Sequence, residues 1–284
     1  MPFLSTLKTK TMKPVLILLI FFGSVSYSQQ KEPDLKLEGF SHPESVVYDE
    51  QRQEYYVSNI GDKQEGDGFI SKVSKNGKKT DHSWITGLND PKGLLIAGNH
   101  LYVSDVNRLV KMDMESGKII SEIPVKGSKS LNDLTKDEAG NIYFSDLAKS
   151  SIYVLKPSGE IEEWLNSDQL ENPNGLLMTR DYLLVAAWGK EEPGHFLQVD
   201  RHTKEIGQIS KGIGNLDGLQ QIEEGAYYIS DWASGKIYKI SLEGTLEEVL
   251  TTAKSSGDIY YDNKDQKLYV PMNRQNEVWI YTLK

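Results

Sequence analysis

Short runs of β-branched, aromatic and aliphatic residues recur along the chain between clusters of Gly, Asn, Asp and Lys, and the three-to-four spacing of an amphipathic helix is nearly absent. This pattern predicts strands joined by tight turns, an all-β chain. One strand type occurs six times: YYVSN at 55–59, LYVSD at 101–105, IYFSD at 142–146, LLVAA at 183–187, YYISD at 227–231 and LYVPM at 268–272. Their last residues lie 46, 41, 41, 44 and 41 positions apart, the period of one four-stranded propeller blade. Each copy follows a second recurrent segment, beginning at Pro43, Pro91, Leu131, Pro173, Leu216 and Ser256, of which PKGLL, PNGLL and LDGLQ are the clearest examples. The two repeats together predict a six-bladed β-propeller.

In the first blade the strands are expected near 45–48, 54–58, 68–74 and 80–86, and the other blades repeat that order. The sixth finds only three strands locally, near 258–261, 267–271 and 277–283. The segment DLKLEGF at 34–40 supplies the fourth, so the N-terminal strand is expected to pair into the last blade and close the ring, hiding an edge that would otherwise invite aggregation. A hairpin brings the start of its first strand beside the end of its second. The starts of all six first strands and the ends of all six second strands should therefore meet at one mouth of the central channel, overhung by the longest loops, 60–68 and 188–195.

The first 28 residues differ in kind. Lys8, Lys10 and Lys13 precede an apolar run at 15–22 and then Gly23, Ser24, Ser26 and Ser28, the layout of a secretory signal peptide cut between Ser28 and Gln29, with the propeller over 29–284. Met12 is an alternative start. The apolar run is far shorter than the roughly 20 residues a membrane span needs, so a periplasmic or secreted protein is expected. The absence of cysteine excludes a lipidated start, disulfides, thiol catalysis and thiolate metal sites. Losing three lysines takes the formal charge from 32 − 41 = −9 to 29 − 41 = −12, which argues against nucleic acid or an anionic membrane as partner. A small-molecule substrate fits better, and a protein partner is left open.

Aligning the six first strands puts Glu44, Lys92, Asn132, Asn174, Asp217 and Gly257 in one slot at the channel entrance. Four of the six carry side-chain oxygens. Two carboxylates and two amides converging on an axis make a hard donor set suited to Ca²⁺ first, with Mg²⁺ and Mn²⁺ as alternatives. Zinc fits less well without His or Cys.

The segments carrying that slot, PESVVYD, LNDLTKDEAGNIYFSD, PNGLLM and LDGLQQIEEGAYYISD, resemble the regucalcin/gluconolactonase (SMP-30/gluconolactonase/LRE-like) family of six-bladed propellers over essentially the whole mature chain. The resemblance implies that Glu44, Asn174 and Asp217 bind the divalent metal. It gives Asn132 contact with metal-bound water or substrate. Two departures stand out: Ser130 occupies the place where the family often has a substrate arginine, and Tyr48 replaces a common Trp. Lys92, in the same ring, is the candidate replacement charge for binding substrate, unless it faces solvent.

The expected activity is metal-dependent hydrolysis of a lactone or similar small ester, with Asp217 as both ligand and base. The alternative is a non-catalytic, NHL-like propeller that binds a ligand or a protein partner, since such propellers share the blade pattern without a metal. A strictosidine-synthase-like propeller would want a single pocket Glu instead of a ring. Asp62, Glu65 and Asp67 are read as an acidic solvated loop, with a second cation as the other reading. His42 and His195 lie near the mouth as candidates for proton transfer, against packing roles. Trp188 and Trp232 are expected at the rim, and Trp84, Trp164 and Trp279 on outer strands.

Overall fold

The computed structural model describes Met1 and residues 31–62 and 64–283; the expected signal peptide lies outside the described residues. Six four-stranded antiparallel sheets form the molecule. In the first, Pro43–Asp49, Glu54–Asn59, Gly68–Ser74 and Lys79–Leu88 pair in sequence order. The repeated segment is the second strand of each blade and is buried almost throughout, as in Ile142–Asp146 and Ala226–Asp231. It is flanked on both sides within its own sheet and packed between blades on both faces, which is why it reads as a continuous apolar run and not as an alternation. Outer strands such as Ile119–Pro124 are largely exposed.

The ring closes as expected. Leu35–Glu38 pairs antiparallel with Glu277–Thr282, Leu35 opposite Ile280 and Glu38 opposite Glu277, as the outermost strand of the last blade. Asp34 reinforces the seam, its amide donating to the Ile280 carbonyl (2.8 Å). On the inner side the amide of Asp258 donates to the Glu44 carbonyl at 2.8 Å, joining blade six to blade one. The innermost strand of blade six is accordingly shorter than expected, Tyr260–Asp262. The residues before it serve the seam through isolated bridges from Ser45 to Asp258 and from Ser256 to Met272. Between blades the core is apolar, for instance Tyr56, Ile70 and Leu88 of blade one against Leu101, Val103 and Val110 of blade two. Among the described residues no helix is long and apolar enough to cross a membrane.

Candidate active site at the channel mouth

The first strands crowd together around the axis, and this crowding accounts for the glycines after Asn174 and Asp217. A Cβ on Gly175 would lie 2.0 Å from the Asp217 carbonyl oxygen, and one on Gly218 would lie 2.3 Å from the Ile259 nitrogen. Only glycine allows that approach. In five blades the register also slips by one residue at this point, between Pro43 and Val46, Pro91 and Leu94, Leu131 and Leu134, Pro173 and Gly175, and Leu216 and Leu219. Such a bulge re-aims the side chains beside it. Here it sits on the slot that carries Glu44, Lys92, Asn132, Asn174 and Asp217.

All five line a single cavity of about 220 Å³. The slot residues form its floor, and Glu44, Asn132, Asn174 and Asp217 are 7%, 6%, 1% and 5% exposed. Its wall comes from a second equivalent position, the residue that follows each second strand: Ile60, Leu147, Trp188, Trp232 and Asn273. Two of these were expected at the rim. Ile60 opens the loop at 60–68 that was expected to overhang the mouth, whereas Leu147 and Asn273 were legible by the same count and were missed. Trp188 and Trp232 meet at 5.6 Å between ring centroids with their planes 53° apart, and the Arg274 guanidinium lies 4.7 Å over Trp232.

Two floor oxygens are conspicuous for what they lack. Asn174 uses its Nδ2 to donate to the Leu216 carbonyl at 3.1 Å, which leaves Oδ1 buried with no donor. Glu44 Oε2 is in the same condition. Buried acceptors without donors are rare and costly. Burial, and then the charge of Asp217, push the Glu44 carboxyl well above the usual range. Asp217 is pushed up to about 8 by burial and by the charge of Asp258, against the pull of Lys92.

Two further carboxyls, missed in the sequence, stand one residue deeper. Asp258 accepts from Ser45 Oγ at 2.6 Å, and burial raises it to about 7. Asp133 accepts from the amides of Leu134 and Leu176, each at 2.6 Å, and is raised by burial and by Asp258. Both line a cavity of about 250 Å³ that also takes Tyr48, Gln220 and Tyr260, residues farther along the same first strands.

His42 belongs to the mouth. It lines the floor cavity with φ of 49°, its amide donates to Asn276 Oδ1 at 2.8 Å, and its ring Nδ1 is buried with no partner. His195 does not reach it, because its Nδ1 pairs with Glu171 Oε2 at 2.7 Å beside a separate surface cavity. The long loop at 188–195 is tied to Glu171, whose carbonyl accepts from the Gly189 amide (2.8 Å), so it contributes Trp188 to the mouth and nothing else. Asp67 caps its own loop, accepting from the amides of Asp62 (2.7 Å) and Gln64 (3.1 Å). Ser130 does not line the cavity, and its carbonyl accepts from the amide of Leu147, which does. A cleft of about 610 Å³ lies among the turns that join the first and second strands of blades three to five, where Arg201 is already engaged by Asp137 and by the Thr179 and Arg180 carbonyls.

No protein-family model matches the chain, and no curated protein matches it. Solved structures do. A putative gluconolactonase superposes with a TM-score of 0.68 at 20% identity, covering 87% of this chain and 92% of that one. A Xanthomonas campestris gluconolactonase, described as important in glucose secondary metabolic pathways, gives 0.68 at 17% identity over 88% and 89%. A catalytically inactive His-to-Ala variant of virginiamycin B lyase from Staphylococcus aureus, in complex with quinupristin, gives 0.64 at 14% identity over 91% and 99%. At these identities the likeness establishes the propeller fold.

The floor fits a divalent cation. Its donors are oxygens, two of them are buried without a hydrogen-bond partner, and the surrounding carboxyls have one lysine, Lys92, to offset them among the residues lining the cavity. Among the described residues no group of three His, Asp or Glu side chains gathers as a metal cluster. A cation here would therefore draw on the amide oxygens of Asn132 and Asn174 as well as on the Glu44 and Asp217 carboxylates.

Proposed function

We propose that the protein is an exported, divalent-metal-dependent hydrolase acting on a lactone or similar small ester at the channel mouth. The observation that carries this reading is the pair of buried, donor-free oxygens, Glu44 Oε2 and Asn174 Oδ1, beside Asp217 on the floor of a cavity. The gluconolactonases among the solved neighbours support it. Glu44, Asn174 and Asp217 would hold the cation, with Ca²⁺ preferred by the oxygen set. When bound, it would polarise the acyl carbonyl and acidify a neighbouring water.

The free oxygen of Asp217 takes the proton from the attacking water, provided it lies within about 3 Å of it. Asn132 orients the water or the carbonyl oxygen. The water oxygen bonds to the acyl carbon, the ester C–O bond breaks, and the departing alkoxide receives the proton, so a lactone yields a hydroxy acid.

A second reading, cleavage by elimination, rests on His42. It is the histidine that lines this mouth, its Nδ1 has no partner, and a solved neighbour, a lyase, is catalytically inactive as a histidine-to-alanine variant. The test for both is a panel of lactones and esters with and without Ca²⁺, Mg²⁺, Mn²⁺ and Zn²⁺. Hydrolysis is expected to place ¹⁸O from labelled water in the product acid, and elimination would leave the product unlabelled. Asp217→Ala and Glu44→Ala should lower turnover by at least about a hundredfold, and full activity in both would overturn the proposal.

A further inference from the structure

We infer that the substrate is neutral and apolar beyond its reacting ester, a compact lactone or ester with a short alkyl or single-ring substituent, and not a polyhydroxylated or anionic sugar lactone. This rests on the hydrolase reading above and adds what the wall selects. The wall is drawn from one structural position, the first residue of the loop after each second strand. Loops at a solvated rim are exposed, yet here the position holds Ile60, Val106, Leu147, Trp188 and Trp232 in five of six blades and Asn273 in the sixth, and all but Val106 line the cavity. Three of the apolar side chains that line it, Leu147, Trp188 and Trp232, are half-buried, so each presents apolar surface to the cavity instead of burying it in the core.

A substrate whose carbonyl reaches Glu44, Asn174 and Asp217 must place the rest of its body against those side chains. Hydroxyl groups set against Ile60, Leu147, Trp188 and Trp232 would lose water without finding partners there, since among the described residues the wall's polar side chains are Asn273 and His42 alone, whereas methylene and ring surface would gain by leaving water. The two tryptophans, tilted 53° from one another, form an angled corner and not a flat platform. An anionic substrate is disfavoured from below. Glu44, Asp133, Asp217 and Asp258 are buried under the mouth, and Lys92, the cation among them, already has Asp90 at 3.9 Å. Ser130 brings no guanidinium, and Leu147 stands in the wall beside it. The cavity of about 220 Å³ equals the liquid volume of roughly seven waters. That suits one ring with a short substituent.

The test measures kcat/KM with Ca²⁺ present for γ-butyrolactone, γ-valerolactone, γ-hexalactone and γ-octalactone, and for D-glucono-1,5-lactone against δ-hexalactone. Each added methylene is expected to raise kcat/KM about two- to fourfold until the cavity is full, and gluconolactone should fall at least about tenfold below δ-hexalactone. Leu147→Ser and Trp188→Ala should flatten the alkyl series while leaving the Ca²⁺-induced rise in Tm unchanged, which also shows that the variants fold. Equal or better turnover of gluconolactone, or an alkyl series unchanged in both variants, overturns the inference and leaves the hydrolase reading standing. If neither these lactones nor the esters of the panel above are hydrolysed with Ca²⁺, Mg²⁺, Mn²⁺ or Zn²⁺, the hydrolase reading fails. Calorimetric titration of the same two δ-lactones then decides the wall: tighter binding of δ-hexalactone upholds its selectivity, and equal or tighter binding of gluconolactone overturns it.

Discussion

Two rings of oxygen-bearing side chains encircle the channel mouth, only a strand apart, and they behave in opposite ways. At the ends of the second strands every acceptor is spoken for. Asp105 takes the amides of Asn89 and Asp90 (2.9 and 2.7 Å) and two bonds from Arg108. Asp146 takes those of Lys129 (2.7 Å) and Ser130 (3.1 Å), and Asp231 takes those of Asn215 and Ala233 (3.0 and 3.2 Å). In these three blades the carboxylate binds the residues that lead into the blade's own first strand, Asn89 and Asp90, Lys129 and Ser130, and Asn215. The serines before them reach across to the next blade, Ser145 Oγ to the Asn174 carbonyl and Ser230 Oγ to the Gly257 carbonyl, both at 2.9 Å. On the floor, by contrast, Glu44 and Asn174 each keep a buried oxygen with no donor. The same residue types build the frame where they are satisfied and mark the candidate site where they are not.

The largest expected consequence is a pH dependence of the metal-free protein. Asp217 and Asp258 are raised from 3.8 to about 8 and about 7, and Glu44 and Asp133 are raised as well, all first by burial. The folded chain therefore binds more protons than the unfolded one above about pH 4. Stability is fully present below the unfolded carboxyl pKa and is lost as pH rises through about 7 to 8. Each extra proton held makes the slope steeper by about 1.4 kcal/mol per pH unit. Urea unfolding in chelator between about pH 5 and 8.5 measures it, and a flat curve would mean that the floor is not strained by its charges.

The next effect belongs to the frame. Asp105→Asn swaps a fully buried carboxylate for an amide that must face two backbone N–H donors and Arg108. A loss of about 3 kcal/mol in unfolding free energy is expected, with or without metal. Slightly smaller is the response to the cation itself. Ca²⁺ at about a hundred times its Kd should add about 2.7 kcal/mol to the wild type, and calorimetric unfolding with and without chelator reads it directly.

The blade count, the closing strand and the floor ring were legible because a period of about 40 residues lets equivalent positions be counted without knowing any contact. Leu147 and Asn273 could have been found by the same count, one place beyond the repeat. Asp133 and Asp258 could not. In a regular strand neighbouring side chains point to opposite faces, so the residue after each floor position should have turned away from the channel. The bulge between Leu131 and Leu134 breaks that alternation for Asp133, and the seam to blade one holds Asp258, its amide on the Glu44 carbonyl and its carboxyl accepting from Ser45. Neither feature leaves a mark in residue types. Nor does sequence tell the satisfied Asp105 from the uncompensated Glu44, since that difference lies in which amides face each oxygen.

The smallest effect separates the rings most sharply, because the same chemical change should carry opposite signs. Glu44→Gln keeps the volume and removes a charge that burial and the Asp217 carboxylate both oppose. The new amide can also donate, where the carboxylate it replaces leaves Oε2 buried with no donor. Metal-free stability is expected to rise by about 1 kcal/mol, while the stabilisation by Ca²⁺ shrinks because one charged ligand is gone. Asp105→Asn, the matching acid-to-amide change a strand away, loses stability and leaves the Ca²⁺ increment intact. Urea midpoints of the two variants with and without Ca²⁺ give four numbers. If Glu44→Gln is destabilised in chelator as Asp105→Asn is, the Glu44 carboxylate belongs to the frame after all and the floor is not a cation site.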